Sequence, residues 1–316
     1  MKLDKYYRNI LFSLTKNARI PLNELAKLIN LSPSTTAYRI QQLQENNLLE
    51  NTYAVLDLYK LGFVGYRAYI TFQATTPDQE EEILSWLQKQ KQAAVLLKTT
   101  GDVDCVCISW TKTDLEYYSF VQELKEHYQT HIKHIEITSY IKAHHLQRNY
   151  LLDEDDQEIL TIGNTREIVE HDQLDLQILQ LLATNARISA LEIAQQLTIH
   201  AQTVINRIKR LEQTQVIAGY SCSINTQQLQ RIYEKLNFVF SKNTNHQELL
   251  SYAASIPESI YVDEATNQYD LELNIEVSST ARKHEILNDI KNRFGGVHHF
   301  SQFSTTGFRK IVYLPV

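Results

Sequence analysis

A chain of 316 residues with 43% hydrophobic residues is long enough for more than one core and apolar enough to bury each. No run of about 18 apolar residues occurs, and the opening MKLDKYYRNILFSL is broken by charges, so neither a membrane span nor a signal peptide is expected, and the chain is assigned to the cytoplasm. A net charge of −6 excludes a surface coated in positive charge but not a local basic face, and three cysteines, Cys105, Cys107 and Cys222, are too few for a disulfide framework.

Residues 1–60 predict three short helices. Ile10, Leu11 and Leu14 share one face, then Leu22, Leu25, Ala26 and Ile29, then Thr36, Ile40 and Leu43, all at helical spacing. Pro21 and Pro33 fall where first turns begin, with Ser32 as the natural N-cap of the third helix. The INLS between the second and third helices leaves room only for a tight turn, which makes a helix-turn-helix. NLLENTYAVLD follows as two β-prone pieces around a polar turn, the pattern of a wing. Residues 61–148 change rhythm: strand 66–74, helix 77–90, strands AAVLLKT and VDCVCISW, helix 114–128, strand 133–143. This βαββαβ order is that of a ferredoxin-like fold, two helices on one face of an antiparallel sheet. VDCVCISW is apolar on both faces, which predicts a sheet covered on both sides. Residues 149–170 read as a partly helical linker.

From residue 171 the chain starts again. NARI at 17–20 recurs at 185–188, and a shift of 168 aligns about 60 positions without a gap, setting Asp4 on Asp172, Glu24 on Glu192, Thr35 on Thr203 and Arg39 on Arg207. Residues 171–228 form a second winged helix-turn-helix whose stripes are Ile178, Leu179, Leu182, then Ile193, Ala194, Leu197, then Val204, Ile208, Leu211, with His200 in place of Ser32. Residues 229–316 form a second βαββαβ unit that ends in a predicted pair of strands. There Tyr269, Leu271, Leu273 and Ile275 alternate with Asp270, Glu272, Asn274 and Glu276, so that sheet's second face is expected to meet water. The fold class is α+β: two winged helix-turn-helix domains and two ferredoxin-like domains in tandem duplication.

The third helix of each head is the candidate reader of nucleic acid. With Ile40 and Leu43 turned inward, Ser34, Thr35, Tyr38, Arg39 and Gln42 point outward or to the flank; the matching surface in copy two is Gln202, Thr203, Asn206, Arg207, Lys209 and Arg210. Such side chains meet phosphates and base edges. Residues 1–60 hold eight Lys and Arg against five acids, and residues 170–229 four against five, modest values that favour several heads acting together. Arg19 and Arg187 are read as ties of the turn between helices before they are read as phosphate contacts. Cys105 and Cys107 lack a CxxC partner set, and His131, His134, His144, His145, His298 and His299 lack an HxxxH frame, so buried thiols, surface histidines and no metal are expected.

D-x-x-x-x-x-I-L-x-x-L-x-x-N-A-R-I, then E-L-A, S-x-S-T and R-I-x-x-L, then a βαββαβ unit with G-D-x-D between its central strands, resembles the leucine-responsive Lrp/AsnC transcription regulators over nearly the whole chain, twice. The resemblance implies single units that dimerise through the sheet domains, bind DNA through the helix-turn-helices and respond to an amino acid or related metabolite. The duplicated chain then reads as a covalent pseudo-dimer. It implies an effector site around Gly101, Asp102, Asp104 and Asp270, duplex DNA as partner, self-association through the ferredoxin-like domains, no cofactor beyond a small effector, no membrane and no catalysis. Two other readings stand beside it. Siroheme decarboxylases look like the same unit made into an enzyme, although an HNYxR-type segment is missing here, and an architectural protein would coat DNA without a ligand.

Overall fold

The computed structural model describes residues 3–152, 156–163, 167–241 and 244–315. Head one comprises helices α1 (Lys5–Lys16), α2 (Leu22–Leu28) and α3 (Pro33–Glu45), followed by strand β1 (Leu49–Leu56). Asp4 caps α1 by accepting from the amides of Tyr6 and Tyr7, and Ser32 caps α3 from Thr35 N, with Pro33 in the first turn. Sheet unit one runs β2 (Val64–Phe72), α4 (Pro77–Lys89), β3 (Ala93–Gly101), β4 (Cys105–Thr111), α5 (Asp114–Tyr128) and β5 (Ile132–His145). A short strand β6 (Leu160–Gly163) then leads to head two: α6 (Gln173–Thr184), α7 (Ala190–Leu197), α8 (Ala201–Gln213) and β7 (Ile217–Ile224). Sheet unit two runs β8 (Ile232–Phe240), α9 (His246–Ser255), β9 (Ser259–Ala265), β10 (Leu271–Val277), α10 (Thr280–Phe294) and β11 (Val297–Ile311).

The predicted wings are not hairpins. Each head contributes one strand, and β1 pairs antiparallel with β7 of the other head, with Tyr53 opposite Ser221 at the centre. Those two residues stand 168 apart, the repeat distance itself, so the pseudo-twofold axis passes between them. Each head's core is therefore completed by the other copy. Leu56, Leu58 and Phe63 join Ile178, Leu182 and Leu211, while Cys222 and Ile224 join Leu11, Leu25 and Leu43. A chain shortened to one copy would leave both sets of apolar groups in water.

The sheet units close on each other in the same way. Strand order β2-β4-β3-β11-β8-β10-β9-β5, with β5 returning to β2, makes a ring of eight strands, and β6 lies outside it on β5. β5 and β11 are long enough to belong to both units. β11 pairs with β8 over its first half and with β3 over its second, and β5 does the same with β2 and β9. The sequence-derived final pair of strands is thus one strand of 15 residues. Cys105 and Cys107 face the helices and Val106 faces the ring interior, so β4 is covered on both sides as expected. For β10 the expectation fails. Glu272, Asn274 and Glu276 are 2, 3 and 2% exposed, because ring closure turns that polar face inward, not to water.

Candidate functional site

The repeated NARI is a clasp between the heads. Ala18 N donates to Tyr220 O at 3.1 Å and Ala186 N to Thr52 O at 3.0 Å. Arg19 Nη1 reaches the carbonyls of Ala186 and Ile188 at 2.6 and 3.1 Å; Arg187 Nη1 reaches those of Ala18 and Ile20 at 2.8 and 3.0 Å. Asn17 and Asn185 fold each turn by accepting the following arginine's amide. The phosphate role weighed for both arginines gives way to this one, since carbonyl oxygens of the opposite head hold their guanidinium groups.

The clasp and the β1–β7 ladder fix α3 and α8 as a pair. Ser34, Thr35 and Tyr38 are exposed on α3, Tyr38 by 60%, and Gln42 is half-buried with its amide on Glu45 at 2.7 Å. On α8, Gln202, Asn206, Lys209 and Arg210 are exposed and Thr203 is half-buried. Arg39 and Arg207 have another task. Arg39 pairs with Asp4 at 2.9 Å and stacks on Tyr7, while Arg207 pairs with Asp172 at 2.6 Å and Asp175 at 2.9 Å. The duplicated Asp4/Asp172 and Arg39/Arg207 matches are thus the same intra-head tie made twice, between the start of the first helix and the third. Arg210 also meets the buried Asp175. The exposed reading positions that are not held in an ion pair are Ser34, Thr35 and Tyr38 in one head and Gln202, Asn206 and Lys209 in the other.

A second feature has no forerunner among the sequence candidates. Beneath the paired head strands lies a cavity of about 600 Å³ walled by aromatic rings, among them Tyr53, Tyr69, Trp110, Tyr261 and Tyr313. In its wall Arg67 meets Asp263 at 3.0 Å and also Glu272, and Lys235 meets both carboxylates. Tyr140 donates to Asp263 at 2.7 Å, and Arg148 grips Glu276 through Nε and Nη2 at 3.0 and 3.1 Å. Burial alone would raise the Asp263 carboxyl, but Lys235 and Arg67 overrule it and hold it well below the usual range. Burial keeps Tyr69, Tyr140 and Tyr233 protonated as donors, pushing each well above the ordinary phenol value. Arg67 Nε is buried without a partner among the described residues. Sequence reading missed this set because Arg67 and Arg148 come from the first half of the chain while Lys235 and the carboxylates Asp263, Glu272 and Glu276 come from the second copy. The legible signs were a lone arginine in the apolar strand YRAYITF and the polar face of Glu272, Asn274 and Glu276, which was expected to meet water.

The GDVD segment lies at the junction of the two sheet units, where the resemblance set the effector, but its polar groups are engaged with main chain. Asp104 accepts from Phe72 N at 2.7 Å, Asp102 from Gln302 N at 2.7 Å, and Asp270 from Phe240 N at 2.8 Å. Gly101 has φ +124°, and a Cβ there would lie 2.7 Å from Gln302 O, so glycine lets β3 and β11 approach. None of these four lines the cavity. No described helix is long and apolar enough to cross a membrane.

Two helix-turn-helix heads joined across one strand ladder stand on a ring of two ferredoxin-like units, and the heads are of a DNA-binding class. A family model described as winged helix-turn-helix DNA-binding matches residues 3–50, and one described as an AsnC-type helix-turn-helix domain matches residues 172–212. The HTH-type transcriptional regulator LrpB of Bacillus subtilis is 31% identical over 119 residues, 38% of this chain and 80% of that protein. The HTH-type transcriptional regulator Ptr1 of Methanocaldococcus jannaschii is 34% identical over 99 residues, 31% of this chain and 67% of that protein. One copy of the duplicated unit therefore matches most of a whole relative. The chain belongs to the Lrp/AsnC family of HTH-type transcriptional regulators. A solved siroheme decarboxylase, NirDL, superposes with a TM-score of 0.66 over 97% of this chain and 93% of its own, at 13% identity. The expectation of no catalysis is corrected by that match: the complete four-domain arrangement is one that an enzyme uses, and the likeness shows the fold.

Proposed function

We propose that this chain is a cytoplasmic regulator whose two unlike heads, locked by the NARI clasp, grip a two-part duplex site of unequal halves, and that a small zwitterionic metabolite in the central cavity biases the grip. The observation that carries the reading is the joining of the two heads through the β1–β7 ladder and the NARI clasp, with different exposed faces on α3 and α8. In the shift of 168, Ser34 aligns with Gln202, Ala37 with Ile205, Tyr38 with Asn206 and Gln41 with Lys209. A homodimer presents identical helices and reads a palindrome; a covalent pair of unlike helices has no such constraint. Successive major grooves would receive them about 34–36 Å apart. Further association between chains would use the outward helical layer, because the inner sheet faces are consumed within the ring.

Selection from random duplex DNA at two salt concentrations tests the reading. Enrichment of two dissimilar half-sites one turn apart, with affinity falling as salt rises, supports it. A perfect palindrome refutes the asymmetry, and no binding at low salt refutes DNA as partner.

For the effector, both signs of charge, protonated phenols and the unpartnered Arg67 Nε suit a molecule with a carboxylate and an amino group. Calorimetry against a panel of amino acids measures this. A second reading follows from the full-length match to NirDL: the same cavity would take a tetrapyrrole, and absorbance titration with an iron porphyrin carrying carboxylates separates the two.

A further inference from the structure

Apart from the heads and the cavity, three side chains from three elements converge. His144 near the end of β5, Glu264 on β9 and His246 at the start of α9 bring one ligand atom each within 4.8 Å of one another. Both imidazole Nε2 atoms meet Glu264 Oε1, at 2.8 Å from His144 and 2.9 Å from His246. His144 turns Nδ1 to Thr161 Oγ1 of β6 at 2.8 Å. Sequence reading set His144 among surface histidines; at 5% exposed it is buried.

We infer that these residues form a site for a divalent transition-metal ion of zinc type, with His144 Nε2, His246 Nε2 and one Glu264 oxygen as protein ligands and water completing the set. Two imidazoles and a carboxylate suit such an ion, and three protein ligands leave a position open. With metal–ligand distances of about 2.1 Å, the edge of a tetrahedral site is about 3.4 Å. Admitting the ion then asks the two His–Glu contacts to open by roughly half an ångström, a side-chain rotation. Thr161 supplies what a ligating histidine needs on its far side. Its hydroxyl accepts from Nδ1–H, the tautomer that leaves the Nε2 lone pair for the metal. His246 is 49% exposed, which gives the ion a path inward. The opposing charge is Lys142, whose Nζ lies 3.0 Å from Glu264 Oε2 and neutralises the carboxylate when no ion is bound. Because β5 and β6 flank the chain's passage from sheet unit one toward head two, an ion here would fasten that passage to sheet unit two.

The test uses the full chain, tag removed and stripped with chelator, titrated with Zn²⁺ by calorimetry and with Co²⁺ by visible absorption. One ion per chain is expected, with affinity at least ten-fold weaker in His246→Ala and in Glu264→Gln, and tighter in Lys142→Met. His246 is half exposed, so circular dichroism of His246→Ala should match the parent and remove misfolding as a cause. Absence of binding, or binding that His246→Ala leaves unchanged, overturns the site and leaves a carboxylate shared by two imidazoles.

Discussion

Replacing Arg19 or Arg187 by alanine separates a clasp from a DNA contact. Each arginine donates from a single Nη1 to two carbonyls of the opposite head, so each is counted as one charge-assisted bond of about 2 kcal/mol. The two guanidinium groups are close enough to lower the Arg187 pKa, after burial, through like-charge repulsion. Removing one relieves about 0.5 kcal/mol of that repulsion. Each single variant should therefore lose about 1.5 kcal/mol and the double about 3.5 kcal/mol, slightly more than the sum, because repulsion is relieved once and both bonds are lost. Urea unfolding followed by far-UV circular dichroism measures all three. The salt dependence of DNA binding by the same variants completes the assay. The reasoning is refuted if stability is unchanged while the slope of log affinity against log salt falls by about 0.9 per arginine, since that is the signature of a lost phosphate contact.

Lys209, exposed on α8, should behave in the opposite way: Lys209→Ala leaves the unfolding midpoint unchanged and lowers the salt slope by about 1, measured by fluorescence anisotropy. Arg67→Met should cost about 3 kcal/mol or more, since it strands a buried carboxylate, whereas Arg67→Met with Glu272→Leu should recover most of the loss because Lys235 and Asp263 remain a balanced pair. Burial first, with the Arg148 charge adding to it over the opposing pull of Asp263, lowers His145 to about 4. The unfolded imidazole, with a pKa of about 6.5, binds the extra proton, so stability is full above about pH 6.5 and falls as pH drops toward about 4. Melting curves across that range should show the loss, and His145→Gln should remove most of it.

The sequence by itself determined the local elements and the duplication. Leu25, Ala26 and Ile29 announce α2 by spacing, Ser32 and Pro33 announce the start of α3 by chemistry, and the gapless shift of 168 announces two heads. These signals are legible because each lies within a few residues of chain or in a comparison of the chain with itself. What only the tertiary structure decided is how the copies complete each other. β1 and β7 carry the β-prone pattern of a wing, yet their partners lie across the pseudo-twofold axis, and no local pattern names a partner more than 160 residues away. The same reason hid the cavity. Arg67 on β2 and Asp263 and Glu272 on β9 and β10 look like unrelated polar residues until ring closure brings opposite charges from the two copies into one buried cluster. It also changed the meaning of Arg39 and Arg207, which helical periodicity set on an outward flank and which packing bound to Asp4 and Asp172. Periodicity fixes which face a residue lies on; only closure of the chain on itself determines whether that face meets water, DNA or the other copy.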